Sequence, residues 1–434
     1  MIERDVVGGA AHLWDCIPSK AMIATGGGLA EVGRARVMGL EAEARLDVVA
    51  LRERIASIET RLRDSVASLL ESQQVRIVRG HGRLVGPYTV AVKTIPVGDA
   101  TGIEHDVVDE LIEADAILIA TGSRPRIPDW VQIDGERVLT TSQAYPPPEI
   151  PEHLIVIGSG VTGVEFTHMF SALGSKVTLV VSRQQVLPSK DPEVAAVLED
   201  EFLRRGVKLL KGARAESVVR NGDEVTVVCD DGRTVVGSHV VVAIGSIPNT
   251  DGLGCDIAGV EADANGYVFG NRHCQTNVPH IYSAGDVSGR LPLSSVASMQ
   301  GRKIAEHAMG LTAVAHRHLD YDKAASAIFT DPEIADVGLA EADAFAAGRK
   351  LRVTKVPFSS NAKALIAGDP RGFVKVLSDP ATGVVIGGSI VGRGAAELIS
   401  VIAIAVSNRL TVTDIVDSLL VHPALAESLA EAAY

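Results

Sequence analysis

Cysteine is scarce in this chain. Only Cys16, Cys229, Cys255 and Cys274 occur among 434 residues, too scattered for a disulfide framework or for the paired thiols of a zinc site. Long apolar runs are missing as well. The longest, LISVIAIAV from Leu398, falls far short of the ~20 residues that cross a bilayer, so no membrane span is expected. Clusters of basic residues are also missing. The 41 Lys and Arg are outnumbered by 54 Asp and Glu, and the resulting net charge of −13 repels phosphate backbones, which argues against nucleic acid as a partner. The opening MIERD lacks the basic-then-apolar order of a secretion signal, and a reducing cytoplasm suits the scattered thiols.

At ~150 residues per domain, the length suggests about three domains with ample apolar core. Leu51, Ile55, Ile58, Leu62, Val66 and Leu69 recur at steps of three and four, which predicts a long amphipathic helix over 48–74. The short runs VRIVRG (75–80) and YTVAVK (88–93) and the apolar ADAILIATGS (114–123) predict strands. QAYPPPEIP (143–151) lacks the amides to extend a helix or central strand and reads as a connector. Asn221-Gly222 and Asp231-Gly232 flank DEVTVVC with dipeptides that favour left-handed turns, so a small antiparallel meander is expected there. From about residue 319, β runs such as GFVKVL and GVVIGGSIVG precede two helical stretches, predicting a separate α+β domain. No internal repeat or low-complexity tract is visible.

The one phosphate-cradle motif of the chain is Gly158, Gly160 and Gly163 in HLIVIGSGVTGVEF, a G-x-G-x-x-G after an apolar strand and before a helix, followed by the strand KVTLVV. Strand, glycine turn, helix and strand make one βαβ unit, whose bare amides and helix dipole face a pyrophosphate. An acid normally ends the second strand and binds the adenosine ribose of NAD. Here VTLVVSRQQ offers Ser182 and Arg183 instead, a pair suited to a ribose 2′-phosphate, which favours NADPH over NADH. A merely solvated Arg183 is the alternative reading.

Taken in order, GG…CIPSK, ATGSRPRIP, GSGVTGVEF, AIGSIPN, YSAGDV, FTDPEIADVG, GFVKV and HPALAE resemble the FAD-dependent pyridine nucleotide-disulfide oxidoreductases, the group of dihydrolipoamide dehydrogenase and glutathione reductase. The resemblance runs over residues 1–434. It implies an α/β protein with two nested Rossmann-like nucleotide-binding domains, one for FAD and one for NAD(P), plus a C-terminal α+β domain that closes a homodimer. The corresponding segments are 1–150 (FAD, first part), 151–271 (NAD(P)), 272–318 (FAD, second part) and 319–434 (dimer interface). Asp286 is then expected at the flavin ribityl chain or pyrophosphate, Ser294 at the start of a helix facing the flavin pyrimidine, and Gly82 near the adenine. Glu3 would bind the adenosine ribose, Gly9, Thr121 and Gly122 fall in further flavin-contacting motifs, and Gly245 would line the nicotinamide path. Lys20 and Glu165 match the family's ion pair beside the flavin, with an ordinary surface salt bridge as the plain alternative.

Two departures from that pattern matter more. The family's disulfide reductases carry C-x-x-x-x-C before I-P-S-K, and here the first position is Ala11, leaving Cys16 alone. A dithiol relay needs two sulfurs that close reversibly on each other, so reduction of lipoamide, glutathione disulfide or mercuric ion by that route is disfavoured. Electrons must leave the flavin directly, and a planar quinone meets that need. A branch of lipoamide-dehydrogenase-like flavoproteins with a similar GGAA…DC.PSK opening and no cysteine pair reduces quinones with NAD(P)H. His422 and Glu427 match the family's acid–base couple and could protonate a quinone oxygen, or remain as structural residues. Cys16 is either an inert thiol or a sulfur that tunes the flavin.

The second departure is at the front. Members of the group begin with a strand and their own G-x-G-x-x-G helix, whereas this sequence opens after both, so its FAD domain is expected to be N-terminally truncated and an upstream in-frame extension of roughly 25 to 40 residues is expected. The leading expectation is an FAD-dependent NAD(P)H:quinone oxidoreductase. The alternatives are a pyridine nucleotide transhydrogenase, a dihydrolipoamide dehydrogenase-like activity and, outside enzymes, a flavin-free NAD(P)-binding scaffold.

Overall fold

The computed structural model describes residues 1–10, 15–94, 109–311 and 318–434; Ala11 lies outside the described residues. The chain divides into two compact units. The first comprises Met1–Pro18, Glu53–Arg126 and Ser246–Tyr321, and the second Ser19–Arg52, Ile127–Gly245 and Asp322–Tyr434. The middle segment of the second unit thus runs Ile127–Gly245 where the sequence division has 151–271. The long amphipathic repeat forms a helix, Val48–Ser72, with Leu51 and Ile55 buried and the Asp47 carboxylate accepting from the Ala50 amide at its start.

In the first unit a four-stranded sheet joins Ile2–Glu3, Val78–Leu84, Thr89–Thr94 and Asp109–Glu113, the first pair parallel and the others antiparallel. The strand expected at 75–80 starts later, at Val78, and continues through Gly80 and Gly82. Backbone proximity explains the shift: a Cβ on Gly80 would lie 2.4 Å from the Lys93 carbonyl oxygen, so the pairing demands a glycine that an apolar pattern does not reveal. Ile117–Ile119 pairs in parallel with Ile281–Ser283, and Ser123–Pro125 pairs antiparallel with Ser246–Pro248. Leu84, Ile117, Ile119, Val268, Ile281 and Val287 form the core beneath them.

The second unit holds a five-stranded, all-parallel sheet in the order Lys208–Lys211, Lys176–Val181, His153–Ile157, His239–Val242, Val138–Thr140. Its central strands read as unbroken apolar runs because both faces are covered, with Leu154, Ile155, Val156, Leu179 and Val241 all buried. The meander forms as its dipeptides dictate. Ala215–Asn221, Glu224–Cys229 and Thr234–Gly237 pair antiparallel, and the turns place Gly222 at φ 63° and Gly232 at φ 83°. The C-terminal part is a second five-stranded sheet, antiparallel throughout, in the order Ser326–Ile328, Ile334–Gly338, Val385–Val391, Phe373–Ser378, Arg352–Pro357. The helix Ala395–Asn408 lays Ile399 and Ile402 into a core with Val374, Val376 and Ile390. Full burial of one such side chain contributes about 1.5–3 kcal/mol. No helix among the described residues is long and apolar enough to cross a membrane.

Candidate functional site

Three glycines shape the turn between the strand His153–Ile157 and the helix Val161–Ala172, each for a different reason. Gly158 ends the strand His153–Ile157 at φ 111°, where a Cβ would sit 2.3 Å from the Ala243 carbonyl oxygen. Gly163 lies in the helix Val161–Ala172, and its Cβ would sit 1.8 Å from the Gly158 carbonyl oxygen, so the helix can seat on the turn only without a side chain there. Gly160 precedes the helix with nothing within 4 Å of where a Cβ would stand, leaving open space in front of the first turn. No side chain caps that turn and no acid lies in it, so its amides remain available to an anion. Ser182 and Arg183, both exposed, follow the neighbouring strand Lys176–Val181, and among the described residues the Arg183 side chain has no ion-pair partner. Gly245, at φ 98°, closes the segment after the strand His239–Val242, again with open space where a Cβ would stand.

Lys20 and Glu165 meet. Cys16 opens the helix Cys16–Arg34 and Lys20 follows four residues later; Glu165 lies in the first half of the helix Val161–Ala172. The Lys20 ammonium donates to Glu165 Oε2 at 2.7 Å, while the Phe329 amide donates to Oε1 at 2.9 Å, so both carboxylate oxygens are engaged. The Phe329 ring also lies under the ammonium, 5.0 Å from Nζ to its centroid. Side-chain exposure is 28 % for Lys20 and 9 % for Glu165, which separates this contact from an ordinary solvated surface pair. The two helices approach closely at Gly26, where a Cβ would lie 2.8 Å from the Ala172 methyl carbon. Phe329 is a partner that sequence reasoning missed. It sits in the quoted FTDPE stretch, but no spacing marks a backbone amide and a ring as ligands of a distant carboxylate and lysine.

Behind this pair lies a group of charges that the sequence also did not announce. Asp331 accepts from Arg205 at 2.7 Å and from Arg371 at 2.5 Å, with Arg34 at 3.4 Å. Burial alone would raise its carboxyl, and the guanidinium groups of Arg371, Arg205 and Arg34 outweigh that, holding it down at about 2. Arg205 also donates to Nδ1 of the buried His168 at 3.1 Å. A guanidinium has no acceptor, so Nδ1 carries no proton; burial and the neighbouring Arg205 push this imidazole down to about 4.

The first unit supplies further candidates. Asp286 Oδ2 accepts from Ser123 Oγ at 2.6 Å, which brings the segment after Thr121 and Gly122 to the aspartate. The Thr121 and Gly122 carbonyls accept from the Asn249 side chain and amide, each at 3.0 Å. Ser294 begins the helix Ser294–Ala308, whose start has no side-chain cap and no acid, a second amide cluster open to a polar ligand. Glu3 ends the strand Ile2–Glu3, with Oε1 accepting the Asp5 amide at 2.8 Å. Gly82 lies on the adjacent strand, where a Cβ would stand only 3.3 Å from Ile2 Cγ2. Gly9, at φ 74°, has open space at its Cβ position.

His422 and Glu427 are brought together in an exposed position, Nδ1 to Oε1 at 2.7 Å. The Ala424 amide on Oε2 and the imidazole on Oε1 hold the Glu427 carboxyl below its usual range. Because a carboxylate only accepts, Nδ1 carries the proton and Nε2 points away. None of the four cysteines is in a disulfide, and Cys16 is half-buried.

The family model for pyridine nucleotide-disulphide oxidoreductases matches residues 1–301, and that for the family's dimerisation domain matches 324–433. A protein of Mycobacterium tuberculosis (strain H37Rv) named NAD(P)H dehydrogenase (quinone) is 41% identical over all of this chain and 87% of its own length. A dihydrolipoyl dehydrogenase of Bacillus subtilis (strain 168) is 31% identical over all of this chain and 91% of its own. The crystal structure of LpdA from Mycobacterium tuberculosis superposes with a TM-score of 0.92 at 40% identity, covering 100% of this chain and 92% of that one. The chain belongs to the pyridine nucleotide-disulphide oxidoreductases, a family of FAD-dependent enzymes that use NAD(P)H, and it carries that family's dimerisation domain.

Proposed function

We propose that this chain is an FAD-dependent oxidoreductase that passes electrons from NAD(P)H to a quinone without a redox-active disulfide. It acts as a cytoplasmic homodimer in which 1–150 and 272–318 hold FAD, 151–271 holds NAD(P)H and 319–434 forms the interface. One observation carries the reading: Cys16 stands alone in its motif, with Ala11 at the neighbouring position and no further cysteine before Cys229. The name of the Mycobacterium tuberculosis relative points the same way.

The chemistry of the donors fits the flavin. The uncapped amides at Ser294 suit the electron-rich end of an isoalloxazine, and the Asp286 carboxylate and the Glu3 carboxylate suit hydroxyls of the ribityl chain and the adenosine ribose. Gly9, Gly82, Thr121 and Gly122 supply close backbone approach beside them. Bound FAD supplies the two-electron carrier between nicotinamide and acceptor. Gly158, Gly160 and Gly163 hold the pyrophosphate of the nicotinamide cofactor, Ser182 and Arg183 favour its 2′-phosphate and hence NADPH, and Gly245 leaves room on the nicotinamide path. Lys20 presents a fixed positive charge to the reaction, with Glu165 fixing its direction. Cys16 tunes that environment and carries no electrons. Converting a quinone to a quinol takes two electrons and two protons: His422, oriented by Glu427, would deliver one proton through Nε2 and solvent water the other, with water then returning a proton to His422.

The test is direct. The protein is loaded with FAD, reduced with NADPH or with NADH, and mixed with menadione, lipoamide or thio-NAD while the flavin band near ~450 nm is followed. Rapid return of the band with menadione and none with lipoamide is expected. Lipoamide turnover restores the dithiol reading, thio-NAD outpacing menadione indicates a transhydrogenase, and failure to take up FAD leaves the NAD(P)-binding scaffold.

A further inference from the structure

We propose that Asp331 is a positioning residue for the Lys20–Glu165 pair, acting through a half-buried cluster of paired charges that fixes the three segments on which that pair depends. The inference rests on the role given to Lys20 and Glu165 above. Asp331 lies two residues beyond Phe329, whose amide holds Glu165 Oε1 and whose ring underlies the Lys20 ammonium. Its carboxylate and its own carbonyl both accept from Arg205 Nη2, at 2.7 and 2.9 Å, so the turn carrying Phe329 is tied by side chain and backbone together. Arg34, the last residue of the helix that bears Lys20, reaches the same carboxylate. Arg205 passes the restraint to His168, one turn beyond Glu165 on its helix.

The cluster is closed by charge. Arg371 bridges Asp331, Asp369 and Glu201 at 2.5, 2.6 and 3.0 Å, and Glu201 also holds Arg205 at 2.5 Å. Arg34, Arg205 and Arg371 thus face Asp331, Asp369 and Glu201, three against three, with Arg204 joining Glu201 from the solvent side and His168 neutral. Neutralising Asp331 leaves Arg34, Arg205 and Arg371 facing two carboxylates in a half-buried site, and the arms relax away from the turn. A second ion pair in the same unit, Lys190–Asp336 at 2.6 Å, has comparable exposure and also bonds Ser326, but among the described residues neither partner is hydrogen-bonded to Phe329 or Glu165, which makes it the control.

Asp331→Asn, Asp336→Asn and Glu165→Gln are compared with the wild type as FAD-loaded proteins. Hydrogen exchange at the Phe329 amide is measured by mass spectrometry, and flavin reduction by NADPH is followed over a concentration series. Expected for Asp331→Asn are exchange at Phe329 faster by at least about tenfold and a saturating reduction rate lower by about tenfold, with NADPH affinity within about twofold. Asp336→Asn changes neither quantity by more than about twofold. Unchanged Phe329 exchange in Asp331→Asn, or the same losses in Asp336→Asn, overturns the proposal. If Asp331→Asn does not fold, Arg205→Lys, which keeps the charge but loses the fork to Asp331 and His168, is expected to move both readouts in the same direction, and no change there overturns it equally. Glu165→Gln separates the two layers: if its reduction rate equals the wild type's, the role of the pair itself fails, whereas a slow Glu165→Gln beside a normal Asp331→Asn refutes only the positioning role.

Discussion

Glu165 and Lys20, 145 positions apart in the chain, are joined at 2.7 Å, and the second oxygen of the same carboxylate is taken by the Phe329 amide. A carboxylate with both oxygens committed has one orientation, and so does the ammonium it holds. Lys20→Met leaves that carboxylate buried without its cation, at a cost of about 1–3 kcal/mol in stability. Reduction of the bound flavin by NADPH in Lys20→Met is expected to slow by at least about tenfold, equivalent to ~1.4 kcal/mol of barrier. Single-turnover absorbance measures the rate, and chemical denaturation measures the stability.

The glycines of the cradle make separable predictions. Ala at Gly163 must displace a backbone carbonyl that would otherwise lie 1.8 Å from the new methyl, so Gly163→Ala is expected to lose roughly 2 kcal/mol or more of stability. Gly160 has an ordinary φ of −72° and open space at its Cβ position. Gly160→Ala should therefore keep stability within about 1 kcal/mol, while its methyl intrudes on a bound pyrophosphate and weakens NADPH binding by at least about tenfold. Thermal melts and a binding titration on the two variants distinguish these outcomes.

His168 gives the fold a pH dependence of known sign. Its folded-state value of about 4 lies below the ordinary 6.5, so between those limits the unfolded chain holds a proton that the folded chain refuses. Stability from this group is complete above pH 6.5 and is lost as pH falls toward 4. The loss between pH 7.5 and pH 5 is roughly 2 kcal/mol. The Asp331 carboxyl, held at about 2, adds its own loss only at more acid pH. His168→Asn, whose amide oxygen stands at the position of Nδ1 and can accept from Arg205, is expected to show a flatter profile between pH 7.5 and 5 in urea unfolding.

Lys375 sits in a cage. Its ammonium, 1 % exposed, lies 2.6 Å from Asp191, 2.5 Å from Glu193 and 2.9 Å from Glu341, and these carboxylates raise its pKa against the effect of burial. The same three carboxylates lie close enough to hold a metal ion, but the lysine already occupies their centre. Lys375→Met removes the buried cation and leaves Asp191 and Glu341 without it, while Glu193 keeps its second partner, Lys355, so a loss of about 3 kcal/mol is expected in denaturant unfolding.

Much of this was legible in the residues themselves. The βαβ unit, its glycine triplet and the meander turns follow from local rules: apolar runs too dense to be half-exposed, and dipeptides that favour positive φ. The helix at 48–72 was legible for the same reason. The strand at 78–84 was misplaced by three residues because a glycine required by backbone contact carries no apolar signal. Lys20, Glu165, His422 and Glu427 could be named from motifs, yet Phe329, Asp331 and Lys375 could not. Lys375 stands in GFVKVL, where a lysine reads as a solvent-facing position, and only the arrival of Asp191 and Glu193 from nearly two hundred residues earlier makes its burial tolerable. Charges matched across such distances leave no periodicity to read.

Cys16→Ser tests most directly whether any sulfur carries electrons away from the flavin. Turnover of menadione by NADPH is measured for the FAD-loaded wild type and for Cys16→Ser, with the thiols of both proteins trapped during the reaction and mapped by mass spectrometry. The expected result is quinone turnover in the variant within about threefold of the wild type, less than ~0.7 kcal/mol of barrier, and no disulfide involving Cys16 at any time. Loss of turnover on removing the sulfur, together with a disulfide between Cys16 and another cysteine that forms and disappears with each cycle, would contradict it.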